Sequence, residues 1–177
     1  MSAPDDRLVV LARVLGEIRA RGGIGTTSIE DAIEHAGRYV SFVPAEASIG
    51  VDLGSGGGLP GLVVATARPD VRWWLVERRG KRADLLEYAV RTLGLRSIVT
   101  VVAADLDEWH ELDGTVDVVT ARRFAPLAVT ATHARRLLRP GGSLVVSTAS
   151  SSVEVPAELH LRDIVGDVAE FGISAAT

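Results

Sequence analysis

Apolar residues at Leu8, Leu11, Leu15 and Ile18 fall three to four apart, a spacing that predicts an amphipathic helix over residues 6–20. Arg21-Gly22-Gly23 stops it. Ser28-Ile29-Glu30-Asp31 has the form of a capping box and opens a second helix over 29–41, with Ile33, Ala36 and Val40 facing inward. Pro44 closes this helical opening. The pattern then changes to short continuous apolar runs at 48–53, 71–77, 98–103, 116–120 and 143–148, rich in Val, Ile, Leu and Trp. Such runs suit strands covered on both faces. Helical patterns lie between them, near 60–68, 80–94, 106–111 and 125–138. Pro60 suits a first helical turn, and Gly94 and Pro140-Gly141-Gly142 suit helix ends.

Strands alternating with helices predict an α/β fold: an open, mostly parallel sheet with right-handed crossovers, preceded by two helices. No repeat or linker interrupts the chain. The expectation is one domain over 1–177, with a helical cap over 1–45 and a Rossmann-like core over 46–177. The Ser, Thr and Ala cluster at 147–152 is expected to be a loop.

A chain of 177 residues with 47% hydrophobic and 24% charged content is globular in composition. No apolar run reaches the roughly 20 residues that span a bilayer, and the acidic start has no signal-peptide pattern; both predict a cytoplasmic protein without membrane contact. Cysteine is absent, which excludes disulfides, thiolate metal sites and cysteine nucleophiles. His35, His110, His133 and His160 are scattered without metal-ligand spacing, so no metal is expected. The net charge of -4 hides segmentation: residues 68–96 carry eight Arg/Lys against four acids, 121–140 carry five Arg and no acid, and 105–117 carry six acids and no base. A basic face on an acidic protein is one reading, and solvated helix faces are the other.

The chemistry concentrates at Val51-Asp52-Leu53-Gly54-Ser55-Gly56-Gly57-Gly58 and at Glu77, 21 residues after Gly56. In a parallel sheet, glycines after the first strand let backbone approach a ligand, and a carboxylate ending the second strand can accept from both hydroxyls of a ribose. A dinucleotide site wants G-x-G-x-x-G; Gly54-x-Gly56-x-x-Leu59 misses the third glycine, although Gly56-x-Gly58-x-x-Gly61 matches in a shifted frame. An acidic residue two before G-x-G-x-G is the pattern of Rossmann-like methyltransferases, and Asp52, Gly54, Gly56 and Gly58 meet it directly. S-adenosylmethionine is therefore the favoured cofactor, with NAD the rival. Asp105, after the third strand, can accept from an adenine amino group or cap a helix. Trp109 can cover an adenine or pack in the core. Trp73 and Trp74 point to opposite faces of their strand and read as packing residues.

Four segments together resemble the RsmG/GidB family, which methylates N7 of a guanine in the decoding-region loop of 16S rRNA. These are VDLGSGGGLPGL at 51–62, Gly80-Lys81-Arg82, Thr120-Ala121-Arg122-Arg123-Phe124-Ala125-Pro126-Leu127, and Leu138-Arg139-Pro140-Gly141-Gly142. The resemblance covers about residues 33 to 146. It implies a Rossmann-like class I S-adenosylmethionine-dependent methyltransferase whose product is S-adenosylhomocysteine. It also implies cofactor contacts at Asp52, Gly54, Ser55, Gly56, Gly58, Glu77, Arg78, Asp105 and Leu106, and Arg122 at the methyl-transfer site as catalytic residue and as a cofactor or substrate contact. Lys81 and Arg82 would face the cofactor rim or RNA phosphates, and Arg123 would face RNA. For Arg122 the competing role is an ion pair with Asp117 or Glu77; for Lys81 and Arg82 it is an exposed helical turn. The implied partner is 16S rRNA or the small ribosomal subunit, met by a monomer.

The chain departs from the family on the acceptor side. Residues 1–45 lack the W/Y-N-x-x-x-N-L-T motif, Ser147-Thr148-Ala149-Ser150 stands where the family has L-K-G, and Arg123 replaces a small residue. Asp105 sits where arginine is common. Only 29 residues follow Thr148, with five acids and one Arg, so the expectation is a divergent, C-terminally short member. Alternatives are a methyltransferase acting on a small molecule or another RNA, and a non-catalytic cofactor-binding homologue. Guanine N7 has a free lone pair, so methylation there needs positioning rather than a base. The D/N-P-P-Y/F loop of amino-methylating enzymes is absent, with residues 120–124 in its place.

Overall fold

The computed structural model describes residues 4–25, 28–148, 155–157 and 159–173. Among these, seven strands form one sheet in the order β3-β2-β1-β4-β5-β7-β6. The strands are β1 (Ile49–Leu53), β2 (Arg72–Val76), β3 (Val99–Val102), β4 (Val116–Ala121), β5 (Leu138–Ser147), β6 (Leu159–Val165) and β7 (Val168–Ile173). The first five run parallel, whereas β7 pairs antiparallel with both β5 and β6. The strand order reverses between β1 and β4, which places the ligand crevice beyond their carboxyl ends.

Helices α1 (Pro4–Ala20), α2 (Ile29–Val40), α3 (Gly61–Ala67) and α4 (Gly80–Thr92) cover one face, and α5 (Leu127–Leu137) covers the other. Leu11, Leu15 and Ile18 of α1 pack with Ala36 and Tyr39 of α2, Leu62 of α3 and Leu86 of α4 over Trp73, Leu75 and Val118. Ala131, Ala134 and Leu137 of α5 join Trp109 over Val51, Val119, Leu144 and Phe171. The central strand β4 is buried along its whole length, so its two faces carry the two cores. Ser28 caps α2, its Oγ accepting from the Asp31 N–H at 3.0 Å.

The structure revises the sequence reading in three places. Residues 106–111 form turns, not a helix: the Leu106 and Trp109 spacing imitates helical period, but their carbonyls accept from Arg136 of α5 at 2.6 and 2.8 Å. Strand β5 starts at Leu138 and runs through Pro140-Gly141-Gly142, continuing directly from α5, with a register shift opposite Val116 and Val118. A hairpin of β6 and β7, not anticipated, extends the sheet, turning through Gly166 at φ 63° and Asp167. Of the loop expected at 147–152, Ser147 belongs to β5; residues 149–152 lie outside the described residues. Trp73 and Trp74 do point to opposite faces, each packing in or against a different core.

Candidate active site

Strand β1 delivers Asp52 to the centre of the sheet, in register with Leu75 of β2 and Thr120 of β4. Its side chain is fully buried. Thr120 Oγ1 donates to Asp52 Oδ1 at 2.6 Å, while Oδ2, beside the start of α3 at Gly61, has no well-formed hydrogen bond among the described residues. Burial pushes the carboxyl up to about 6 against the opposing hydrogen bond from Thr120. A Cβ on Gly61, the first residue of α3, would lie 2.6 Å from Oδ2, so only glycine lets the helix start over the carboxylate.

The loop that follows is tied to β2. Ser55 N–H donates to the Val76 carbonyl at 3.0 Å, and Ser55 Oγ donates to the Asp52 carbonyl at 2.9 Å. Gly54 and Gly56 take φ values of 60° and 55°, which side chains other than glycine's rarely adopt. Gly54 is constrained twice, because a Cβ there would lie 2.5 Å from the ring of Phe124. Glu77 follows β2 and is nearly buried. Its Oε2 accepts from Gly56 N–H at 2.9 Å and its Oε1 from Arg79 N–H at 2.8 Å. Two backbone donors therefore orient this carboxylate, and each oxygen keeps a further lone pair.

A cavity of about 410 Å³ opens at this corner. Gly54, Glu77, Arg78, Arg82, Asp105 and Leu106 lie on its wall. Arg78 Nη1 sits 3.7 Å from Asp105 Oδ2, and Asp105 Oδ1 accepts from Asp107 N–H at 3.2 Å in a turn rather than at a helix start. Asp52 of β1 and Ser55, Gly56 and Gly58 of the loop lie behind this wall. Lys81 is exposed on the first turn of α4, off the cavity, and Trp109 lies in the core.

A second cavity, of about 700 Å³, adjoins the first; Arg123 and Phe124 lie on the walls of both. Arg122 lines this second cavity rather than the first. Its guanidinium is half-buried, and burial with the neighbouring Arg123 lowers its pKa from the ordinary value. Neither Asp117 nor Glu77 pairs with it: Asp117 accepts from Arg139 and from the Ser48 and Ile49 N–H groups. Arg123 has φ 54°, the one described non-glycine residue with positive φ.

Three residues of the second cavity escaped the sequence reading: Asp31 and His35 from α2, and Asp167 from the β6–β7 turn. His35 Nε2 lies 2.9 Å from Asp167 Oδ2, and Arg38 Nη1 donates to Asp167 Oδ1 at 3.0 Å. Burial would raise the Asp167 carboxyl, but the His35 hydrogen bond and the charges facing it hold it below the usual range. Beside them Tyr39 donates its buried hydroxyl to the Ala121 carbonyl at 3.2 Å. The partners in this wall are up to 132 residues apart, beyond the reach of any local pattern.

The family model for rRNA small subunit methyltransferase G, GidB, matches residues 17–162. A relative named ribosomal RNA small subunit methyltransferase G from Salinispora tropica is 45% identical over 113 residues, covering 61% of this chain and 47% of its own. One of the same name from Acidothermus cellulolyticus is 36% identical over 151 residues, covering 82% of this chain and 66% of its own. The chain thus spans about half to two thirds of the length of these relatives. Among solved structures, a Klebsiella pneumoniae protein named as an O-methyltransferase superposes with TM-score 0.68 at 16% identity, covering 99% of this chain and 92% of its own. A SAM-dependent methyltransferase from Aquifex aeolicus gives TM-score 0.61 at 12% identity, covering 78% and 89%. The fold is the Rossmann-like one of class I methyltransferases.

Proposed function

This chain belongs to the rRNA small subunit methyltransferase G (GidB) family, and from that premise we propose that it is an S-adenosylmethionine-dependent methyltransferase acting on guanine N7 in 16S rRNA. The observation that carries the reading is the pair of adjoining cavities at the strand-order switch, one beside the backbone-oriented Glu77 and the other beside Arg122, with Arg123 and Phe124 on both walls. The residues present fit the cofactor. Glu77, on the wall of the first cavity, has lone pairs left for two ribose hydroxyls. Asp105 and Leu106 would border the adenine, with Arg78 braced against Asp105. S-adenosylmethionine bound there supplies a methyl group on an already activated sulfonium.

The chain's own task is alignment. Guanine N7 presents a lone pair without a proton, so no residue need act as a base, and holding donor and acceptor in line supplies most of the rate. Arg122, a charged donor in the second cavity, would bind the guanine O6 that neighbours N7. Phe124 offers a ring for the purine to stack on at the boundary between the cavities. Lys81, Arg82 and Arg123 would meet RNA phosphates around the entrance.

Two experiments test this. Thermal shift of the purified chain should rise with S-adenosylhomocysteine and stay flat with NAD, since a ligand bound by the native state stabilises it by mass action. Labelled methyl transfer should then appear in 16S rRNA as 7-methylguanosine. Label entering a metabolite extract but no RNA would replace the acceptor assignment, and binding without any transfer would replace the enzymatic one.

A further inference from the structure

Asp31 lines the second cavity and its carboxylate has no hydrogen bond or ion pair among the described residues. In a complete capping box the third helical residue reaches back to the N–H of the cap. Here only half the box forms: Ser28 Oγ accepts from Asp31 N–H at 3.0 Å, and Asp31, an exposed residue, lies on the cavity wall. The other acid of this wall is already engaged, since Asp167 holds His35 with one oxygen and Arg38 with the other. The cavity therefore combines one uncommitted carboxylate from α2 with one half-buried guanidinium from the end of β4.

These two groups match opposite features of one base. Guanine presents acceptors at N7 and O6, and donors at N1–H and the 2-amino group. A base taken out of its stack is read along that donor edge. With O6 at Arg122 and N7 toward the first cavity, the donor edge is left for an acceptor-only carboxylate. Adenine offers an acceptor at N1 and would meet Asp31 with repulsion.

We propose that Asp31 is the guanine-selecting residue of this chain, accepting from N1–H and the 2-amino group of the target base. The inference rests on the methyltransferase reading above and adds the residue that sets base choice. It also predicts a contribution to rate. During transfer from the sulfonium donor, the sulfur–methyl bond breaks as the N7–methyl bond forms; the sulfur becomes a neutral thioether and the purine takes the positive charge, with no proton released from N7. The cationic purine is a stronger N1–H donor, so its bond to a carboxylate strengthens toward the transition state, the kind of interaction that raises kcat.

The test is a cycle crossing Asp31→Asn with a base change, using full-length 16S rRNA assembled by ligation with guanine or inosine at the target; inosine lacks only the 2-amino group. The native chain should lose about 10–100-fold in kcat/KM on inosine, and Asp31→Asn about the same on guanine, with a fall in kcat as well as a rise in KM. The substituted chain should then discriminate poorly between the two bases, so that the losses do not multiply. Binding of the 7-methylated product RNA in the presence of S-adenosylhomocysteine should weaken in parallel. Glu30→Gln, which removes the adjacent exposed charge outside the cavity, should leave the rates on both rRNAs unchanged. Multiplicative losses would overturn the proposal, as would an Asp31→Asn chain with native rates. A native chain that methylates neither rRNA would overturn the proposed function itself, which is a different result.

Discussion

Replacing Asp52 by Asn should make the protein's stability less dependent on pH, and in a calculable direction. The folded-state carboxyl is pushed up to about 6, against an ordinary value of 3.8, because it is wholly buried, and the hydrogen bond from Thr120 offsets only part of that. A raised acid pKa means that the native state keeps its proton longer than the unfolded chain. Below pH 3.8 both states are protonated and the group is neutral to stability. Between 3.8 and 6 the unfolded chain ionises first, so stability falls as pH rises, and above 6 the deficit is constant. Roughly two pKa units at 1.36 kcal/mol each amount to about 3 kcal/mol. Asn has nearly the same shape and can accept from Thr120, but it has no charge to bury. Urea unfolding of the ligand-free native and Asp52→Asn proteins, stepped from pH 4 to pH 8, isolates this group because every other acid titrates alike in both. Between pH 4 and pH 8 the difference curve should swing by about 2–2.5 kcal/mol in favour of the variant, or roughly 4–10 °C in melting temperature for a chain of this size. A flat difference curve would refute the reasoning, as would a variant that grows less stable with pH.

Glu77→Gln leaves one oxygen for two backbone donors and turns an amide NH2 toward the other, so calorimetric affinity for S-adenosylhomocysteine should fall about tenfold or more; unchanged affinity would remove Glu77 from the cofactor site. Asp167→Asn loses the charge that joins α2 to the β6–β7 turn, with a cost of about 1 kcal/mol or less because that side chain is 47% exposed. Since the Asp167 carboxyl titrates below its ordinary value, this stability is present at neutral pH and disappears as pH falls through the folded-state value. Amide exchange in β6 and β7 should speed up in the variant at pH 7 and match the native chain in acid.

The glycine loop and the first cavity were legible because their signals are local. Asp52, the glycines and Glu77 sit at the ends of two neighbouring strands, and strand period plus glycine placement locate them without long-range knowledge. Residues 106–111 misled because Leu106 and Trp109 are buried at helical spacing while Arg136, 27 residues or more away, satisfies their carbonyls. The hairpin had a usable signal in Val165-Gly166-Asp167-Val168, a two-residue glycine turn between alternating strands, which the acidic composition of the tail obscured. The wall of the second cavity had none. Asp31 looked like a capping residue, and His35 looked like one of four scattered histidines, until the fold brought Asp167 against α2.

One segment ties the two cavities together and leads to a last prediction. As β4 ends, Thr120 bonds Asp52 beneath the glycine loop and the Ala121 carbonyl accepts from Tyr39. Arg122 enters the second cavity, and Phe124 lies against Gly54 at the boundary of the first. The reversal between Arg122 and Phe124 is made by Arg123 at φ 54°, a conformation in which a side chain costs about 1–2 kcal/mol. Glycine would adopt the same turn without that strain, losing part of the gain to the greater freedom of its unfolded chain. Arg123→Gly should therefore be as stable as the native protein or up to about 1 kcal/mol more stable, while removing a cation that borders both cavities. Its affinity for S-adenosylhomocysteine should change little, whereas RNA binding should weaken and lose about one unit of salt dependence. A destabilised variant would show that Arg123 is held by packing; a stable variant with native RNA affinity would show that the strain serves only to aim Phe124.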